Sequence, residues 1–230
     1  MEKYQYKFDR ESCMYKDICD VYGTDDCNSV CERYILTNFL LHHSRIPIKQ
    51  RTRRKLHPPA CDRQAYEYLS QIRLSIKQFV QDGENLYLYS ANSYNGKTSW
   101  AISLMLKYFD QVWQGNGFRI RGVFVSVPMF LMKCKNVMSN PDVQFEQFKE
   151  TLRTADLVIW DGIACENLSS YDTGVLYAYI SERMVNGKSN IFTGTHNEPQ
   201  MRTALGNNLT SRIWGNSNIV KFNAGDWRGE

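Results

Sequence analysis

The residues with the clearest chemical potential are Ala91-Asn92-Ser93-Tyr94-Asn95-Gly96-Lys97-Thr98, which follow the apolar run Leu86–Ser90. A Gly-Lys-Thr closing such an octet, between a strand and a helix, has the spacing of a phosphate-binding loop, with Ala91 where the first glycine normally stands. That chemistry needs backbone N–H groups at a helix N-terminus to surround phosphate oxygens. Gly96 lets the backbone approach, Lys97 brings a point charge to the β- and γ-phosphates, and Thr98 offers a hydroxyl to Mg²⁺. Residues Ala91–Ser99 are therefore the expected nucleotide-binding set, with ATP and Mg²⁺ as ligands. The strand–loop–helix context argues against a chance Gly-Lys-Thr, although Ala91 and Tyr94 replace the usual glycines.

A second signal is Asp156-Leu157-Val158-Ile159-Trp160-Asp161, an apolar strand that delivers a carboxylate at its C-terminal end. Asp161 is the expected partner of Thr98 in holding Mg²⁺. The next residue is Gly162, where a second acid that orients the attacking water often stands. Glu166 lies four positions further on, and a solvated loop carboxylate is its simpler role.

Four of the seven cysteines, Cys13, Cys19, Cys27 and Cys31, fall within one short stretch. Four thiolates satisfy tetrahedral Zn²⁺, and a module this small has little core of its own. A Zn²⁺ site on these four is the expectation, with free buried cysteines as the alternative. The odd cysteine count argues against a disulfide framework. Residues 1–32 carry four basic and eight acidic side chains, whereas residues 33–61 carry seven basic and none acidic. The basic block, with Arg45, Lys49, Arg51, Arg53, Arg54 and Lys55, is either a phosphate-contacting segment or a solvated linker. Phe130, Met132, Phe145 and Phe148 recur at helical spacing, which favours core over base stacking.

These groups need a framework to position them. Short apolar runs at Leu86–Ser90, Val123–Val127, Leu157–Trp160, Asn190–Gly194 and Ile219–Phe222 read as strands. The segments Lys97–Val112 and Tyr171–Val185, and the stretch around Phe145–Leu152, read as helices. An apolar pattern from Tyr66 to Val80, ended by Gly83, reads as one more. Strands spaced by helices give βαβ units and a parallel sheet. The expected domains are a cysteine-bearing module at 1–40, an extended basic linker at 41–61 and an α/β domain at 62–230. No apolar run approaches the ~18 residues of a membrane span, and no signal peptide is evident. A cytoplasmic protein with no membrane partner is expected.

The run Asn85–Ala101, the strand Leu157–Ile163 and the stretch Ile191–Ile213 together resemble the DnaC/DnaI/IstB group of AAA+ ATPases, in particular phage-encoded DnaC-like helicase loaders of Gram-positive bacteria. The resemblance covers residues 62–230 and is most specific in NGKTSWA, LVIWD, KSNIFTG and LGNNLTSRIW. It implies an AAA+ P-loop core, ATP bound between adjacent subunits, and delivery of the replicative DNA helicase to ssDNA. Lys97 and Thr98 would be the Walker A pair and Asp161 the Walker B carboxylate. Thr195 falls at the polar sensor position, where Asn is usual. Arg212 would be an arginine finger reaching a neighbour's γ-phosphate, which implies a homo-oligomer or a partner ATPase; a surface salt bridge is the alternative. Asn208 stands where relatives often carry Arg. A zinc-bearing amino-terminal module that engages the helicase, as in DnaI-type loaders, agrees with the cysteine spacing. The departures at Ala91, Tyr94, Gly162, Thr195 and Asn208 imply slow hydrolysis with binding retained. A phage-encoded protein would work in the bacterial host cytoplasm. Two other roles stay open: an IstB-like transposition helper, and a non-hydrolysing adaptor that blocks the host helicase or loader.

Overall fold

Five short strands carry almost uninterrupted apolar side chains, the pattern of a sheet covered on both faces. In the computed structural model, which describes residues 7–51, 56–57, 59–93, 95–139, 141–164 and 168–225, they are β1 (Asn85–Tyr89), β2 (Gly122–Ser126), β3 (Leu157–Asp161), β4 (Ser189–Gly194) and β5 (Asn218–Lys221). They pair in parallel in the order β2-β3-β4-β1-β5. Alternate residues on each strand serve opposite faces. Leu86, Leu88, Phe124, Leu157, Ile159 and Ile191 point into one core. Tyr87, Val123, Val125, Val158, Trp160 and Phe192 point into the other.

The helices divide accordingly. The first core takes residues from α1 (Glu32–His43), α2 (Arg63–Leu74), α3 (Ile76–Gln81) and α4 (Lys97–Val112). The second takes α5 (Val127–Val137), α6 (Val143–Thr154), α7 (Ser170–Val185) and α8 (Glu198–Trp214). Chain thus leaves β1 through a helix on one face and β4 through a helix on the other. The crevice between them opens at the carboxyl ends of the strands, where open parallel sheets bind ligands.

Two buried polar groups make this packing specific. Arg183, fully buried, donates to the carbonyls of Leu152, Ala155 and Ser189 at 2.6, 2.8 and 2.6 Å, and to Asn190 Oδ1 at 2.8 Å. Asp156 gathers Arg119, Arg121 and Lys188 at 2.8, 2.9 and 3.0 Å, tying the start of β3 to those of β2 and β4.

The structure refines several expectations. The helix read from Tyr66 to Val80 breaks at Ser75, whose φ of −102° and ψ of 19° separate α2 from α3. Helix α8 is not drawn out by periodicity, but its start is written in Asn197 and Gln200, which form a capping box, with Pro199 beside them. Within α8, Gly206 at φ 78° and ψ 167° is non-helical and splits the element.

The segment read as an extended linker is partly core. Leu41, Ser44 and Ile46 are buried, the Phe124 N–H on edge strand β2 donates to the Ser44 carbonyl at 2.6 Å, and Ile48–Gln50 form a 3₁₀ turn. Arg45 covers the Phe148 ring at 3.6 Å, so it serves packing there. Arg53, Arg54 and Lys55 lie outside the described residues. Helix α1 also ties the preceding turns to the sheet: Arg33 lies 3.7 Å above the Tyr15 ring and pairs with Asp110 of α4 at 3.4 Å. No described helix is long and apolar enough to cross a membrane.

Candidate nucleotide-binding site

The loop after β1 begins with Ser90, whose hydroxyl accepts the Asn92 N–H at 3.1 Å, and ends with Gly96 at φ +94°. Only glycine reaches that left-handed conformation without strain, and it turns the chain directly into α4. Lys97, the first residue of α4 and 8% exposed, folds back over the loop. Its ammonium donates to the Asn92 carbonyl at 2.7 Å and to Asn95 Oδ1 at 2.8 Å. Burial pulls the Lys97 pKa down to about 8, against the opposing pull of Asp161. A phosphate in the loop would supply the counter-charge that burial makes scarce. Ala91, Asn92 and Ser93 are exposed, Asn95 is buried, and Ser99 sits in the first turn of α4. Tyr94 lies outside the described residues, as does Glu166.

Because β4 lies between β1 and β3, the carboxyl ends of three strands meet here. Asp161 Oδ1 accepts from Thr98 Oγ1 at 2.6 Å and from Thr193 Oγ1 at 2.7 Å. Register sets Asp161 opposite Thr193, which is 3% exposed. The expected pair Thr98 and Asp161 is thus brought together directly, an all-oxygen donor set of the kind Mg²⁺ prefers. These residues fit a Mg²⁺-nucleotide.

Thr193 is missing from the sequence-derived set. Its signal is a polar residue that follows the apolar pair Ile191-Phe192 near the end of β4, aligned with the end of β3. Thr195, the expected sensor residue, is exposed, and its hydroxyl stands 3.1 Å from His196 Nδ1. The structure therefore gives contact with Asp161 to Thr193 and not to Thr195. The chain turns between them after Gly194, which carries Thr195 out of the cluster.

Gly162 adopts φ +74°, and its N–H donates to the Thr193 carbonyl at 3.1 Å and to Thr193 Oγ1 at 3.2 Å. The chain bends there as β3 ends, so the absence of an acid coincides with a conformation that disfavours side chains. Arg212 is half-buried in the second part of α8, and among the described residues its guanidinium makes no hydrogen bond or ion pair. The surface salt bridge weighed for it is therefore not formed with any described residue. Asn208 is exposed beside Gly206.

The expected Zn²⁺ site is not supported by the structure. Cys13 lies within electrostatic reach of Cys31, Cys19 and Cys27, and its thiol is pushed up chiefly by burial. Among the described residues, however, no three of His, Cys, Asp or Glu are arranged to hold a metal ion. The segment is held instead by Tyr15 under Arg33 and by Tyr34, whose ring meets Phe8 and whose hydroxyl accepts the Asp9 N–H at 2.9 Å. None of Cys13, Cys19, Cys27 and Cys31 is joined in a disulfide. Phe130, Phe145 and Phe148 are buried, so they are core, while Met132 is half exposed.

The strand order, the loop after β1 and the carboxylate ending β3 give an α/β fold, a five-stranded parallel sheet flanked by helices with a phosphate-loop-like site at its carboxyl edge. Among solved structures, the chain is similar to the DnaC helicase loader, with a TM-score of 0.62 and 19% identity over 73% of this chain and 94% of that one. It is similar to DnaI, with a TM-score of 0.64 and 12% identity over 79% of this chain and 96% of that one. It is also similar to the replication initiator DnaA bound to AMPPCP and single-stranded DNA, with a TM-score of 0.58 and 14% identity over 74% of this chain and 48% of that one. The DnaC/DnaI resemblance read from the sequence thus holds in the fold. No family model matches the chain, and no curated protein matches it by sequence.

Proposed function

We propose that this chain is a replication-related AAA+ ATPase that binds ATP·Mg²⁺ and acts with a replicative DNA helicase as its loader onto ssDNA. The observation that carries the nucleotide part is the convergence of Lys97, Thr98, Asp161 and Thr193 at the carboxyl ends of β1, β3 and β4. In this reading the loop N–H groups and Lys97 hold the phosphates, while Thr98 and Asp161 hold Mg²⁺, whose charge offsets that on the phosphates. The helicase part is supported by likeness in fold to the DnaC helicase loader and to DnaI. The ssDNA part is supported by likeness to DnaA bound to ssDNA.

Arg212, with no described partner, is free to act on a neighbour's nucleotide, so the assembly would be an oligomer bridged by ATP. The acidic stretch before α1 and the basic block after it are the candidate partner-facing segments of modules 1–40 and 41–61, with 62–230 as the ATP-binding domain. Gly162 favours slow hydrolysis, and for that reason a second reading stands beside the first: an adaptor that binds the helicase without turnover. Lys97→Ala should abolish ATP binding with the fold intact; unchanged affinity refutes the site. Co-purification with a replicative helicase, with and without ATP, tests the partner. ATP turnover measured beside affinity separates loader from adaptor.

A further inference from the structure

The phosphate loop is bonded to the far end of the chain. Asp62 is the residue before α2, where a carboxylate commonly caps the helix, yet it makes no side-chain cap. It is 1% exposed, and its two oxygens accept the backbone N–H groups of Asn223 and Ala224 at 2.6 and 3.1 Å. The Ala224 carbonyl then accepts from Asn92 Nδ2 at 3.1 Å and from Asn95 Nδ2 at 3.3 Å. Asn95, fully buried, turns its Oδ1 to the Lys97 ammonium at 2.8 Å. An unbroken relay therefore runs from a buried carboxylate, through the segment leaving β5, to the lysine that the phosphates require.

We infer that Asp62 is a positioning residue of the nucleotide site, and that the relay holds Lys97 in its unliganded arrangement until nucleotide breaks it and releases the segment 223–225. This rests on the nucleotide-binding reading of the loop. Lys97 has one N–H to spare beside those it gives Asn92 and Asn95, and reaching both the β- and γ-phosphates takes a second one from Asn95. Asn95 Oδ1 then loses its partner inside the protein, where an unpaired polar atom is costly, so its amide must turn. Turning takes its Nδ2 from Ala224. The coupling is reciprocal, so loosening the segment must favour nucleotide by as much as nucleotide loosens the segment.

The test uses the full chain and ATP·Mg²⁺. Amide hydrogen exchange at Asn223 and Ala224 should quicken when nucleotide binds; unchanged or slower exchange overturns the inference. Asp62→Asn replaces one accepting oxygen by an NH₂ group, and should tighten nucleotide binding about threefold to tenfold, the range of one ordinary hydrogen bond. Asn92→Ala, at an exposed position, removes one donor to Ala224 and should act in the same direction even if Asp62→Asn fails to fold. A merely structural role would weaken binding in the folded variants, and that result also overturns the inference. Failure of the unmodified chain to bind nucleotide at all would instead overturn the site reading, and this inference with it.

Discussion

Thr193→Val is the sharpest probe of the site, because it keeps the shape of a buried side chain and deletes only a hydroxyl. In the native arrangement Asp161 Oδ1 accepts two hydroxyl protons, from Thr98 at 2.6 Å and Thr193 at 2.7 Å. Both are bonds to a charged acceptor, each worth about 1.5–3 kcal/mol. Deleting one should lower stability by about that amount, a Tm decrease of roughly 3–12 °C for a chain of this size. The functional consequence is separate. A carboxylate held by hydroxyls is aimed, and loss of such a supporting partner typically costs 10- to 100-fold in metal affinity. ATP affinity titrated at saturating Mg²⁺ should therefore fall by at least about tenfold, while affinity in EDTA, which does not use Asp161, should stay within twofold. Thr193→Ser should restore both values. An equal loss with and without Mg²⁺ would refute the argument, since it would mean that Thr193 supports the loop and not the carboxylate.

Lys97 offers a pH test. Its pKa in the unliganded protein is lowered to about 8 by burial, and bound phosphate favours the charged form, so nucleotide affinity should be flat below pH 8 and fall as pH rises beyond it. The same depression makes Lys97 a cost to folding below about pH 8, relieved between that value and the ordinary lysine range, so Lys97→Met should stabilise the chain most at neutral pH. Arg212→Ala should leave the affinity of the isolated chain for ATP unchanged and lower turnover or assembly only at concentrations where chains meet; a concentration-independent effect contradicts a role in trans. Arg183→Met strands the carbonyls of Leu152, Ala155 and Ser189, each at about 1–3 kcal/mol, and should lower stability by several kcal/mol in denaturant titration, with ATP affinity unchanged in what remains folded.

How far the sequence reveals this architecture depends on how local the cause is. The loop from Ala91 to Thr98 and the carboxylate at Asp161 are legible because strand–loop–helix spacing and an apolar run ending in acid are patterns within a few residues. Thr193 is not, because its role comes from β4 lying between β1 and β3, a fact of sheet order. The break at Ser75 is hidden for a related reason: Tyr66, Leu69, Ile72, Ile76 and Phe79 keep one helical period across it, and all five face the same core. The cysteines are harder to read, because clustering along the chain does not fix the direction of four side chains. The basic block misled because charge count says nothing of Leu41 and Ile46 beneath it.

The asparagines of the loop give it internal bonds of its own. A glycine-rich loop reaches phosphate through backbone freedom and leaves its lysine few internal partners. Here Asn92 and Asn95 stand in the loop, and both reach the Ala224 carbonyl while offering oxygens to Lys97. Two of the lysine's three N–H donors are engaged before any ligand arrives, so phosphate contacts beyond the third must displace good bonds, at a cost in affinity. On the proposed reading Gly162 would make the bound state long-lived for a different reason, since an acid beside Asp161 that speeds hydrolysis contributes typically about 10²–10⁴-fold. Modest affinity with slow turnover would suit the proposed assembly, in which nucleotide is retained chiefly when a neighbour's Arg212 completes the site. Measured ATP dissociation should accordingly slow when chains assemble. Equal dissociation rates from dispersed and assembled protein would leave the loop asparagines as a packing solution with no part in timing.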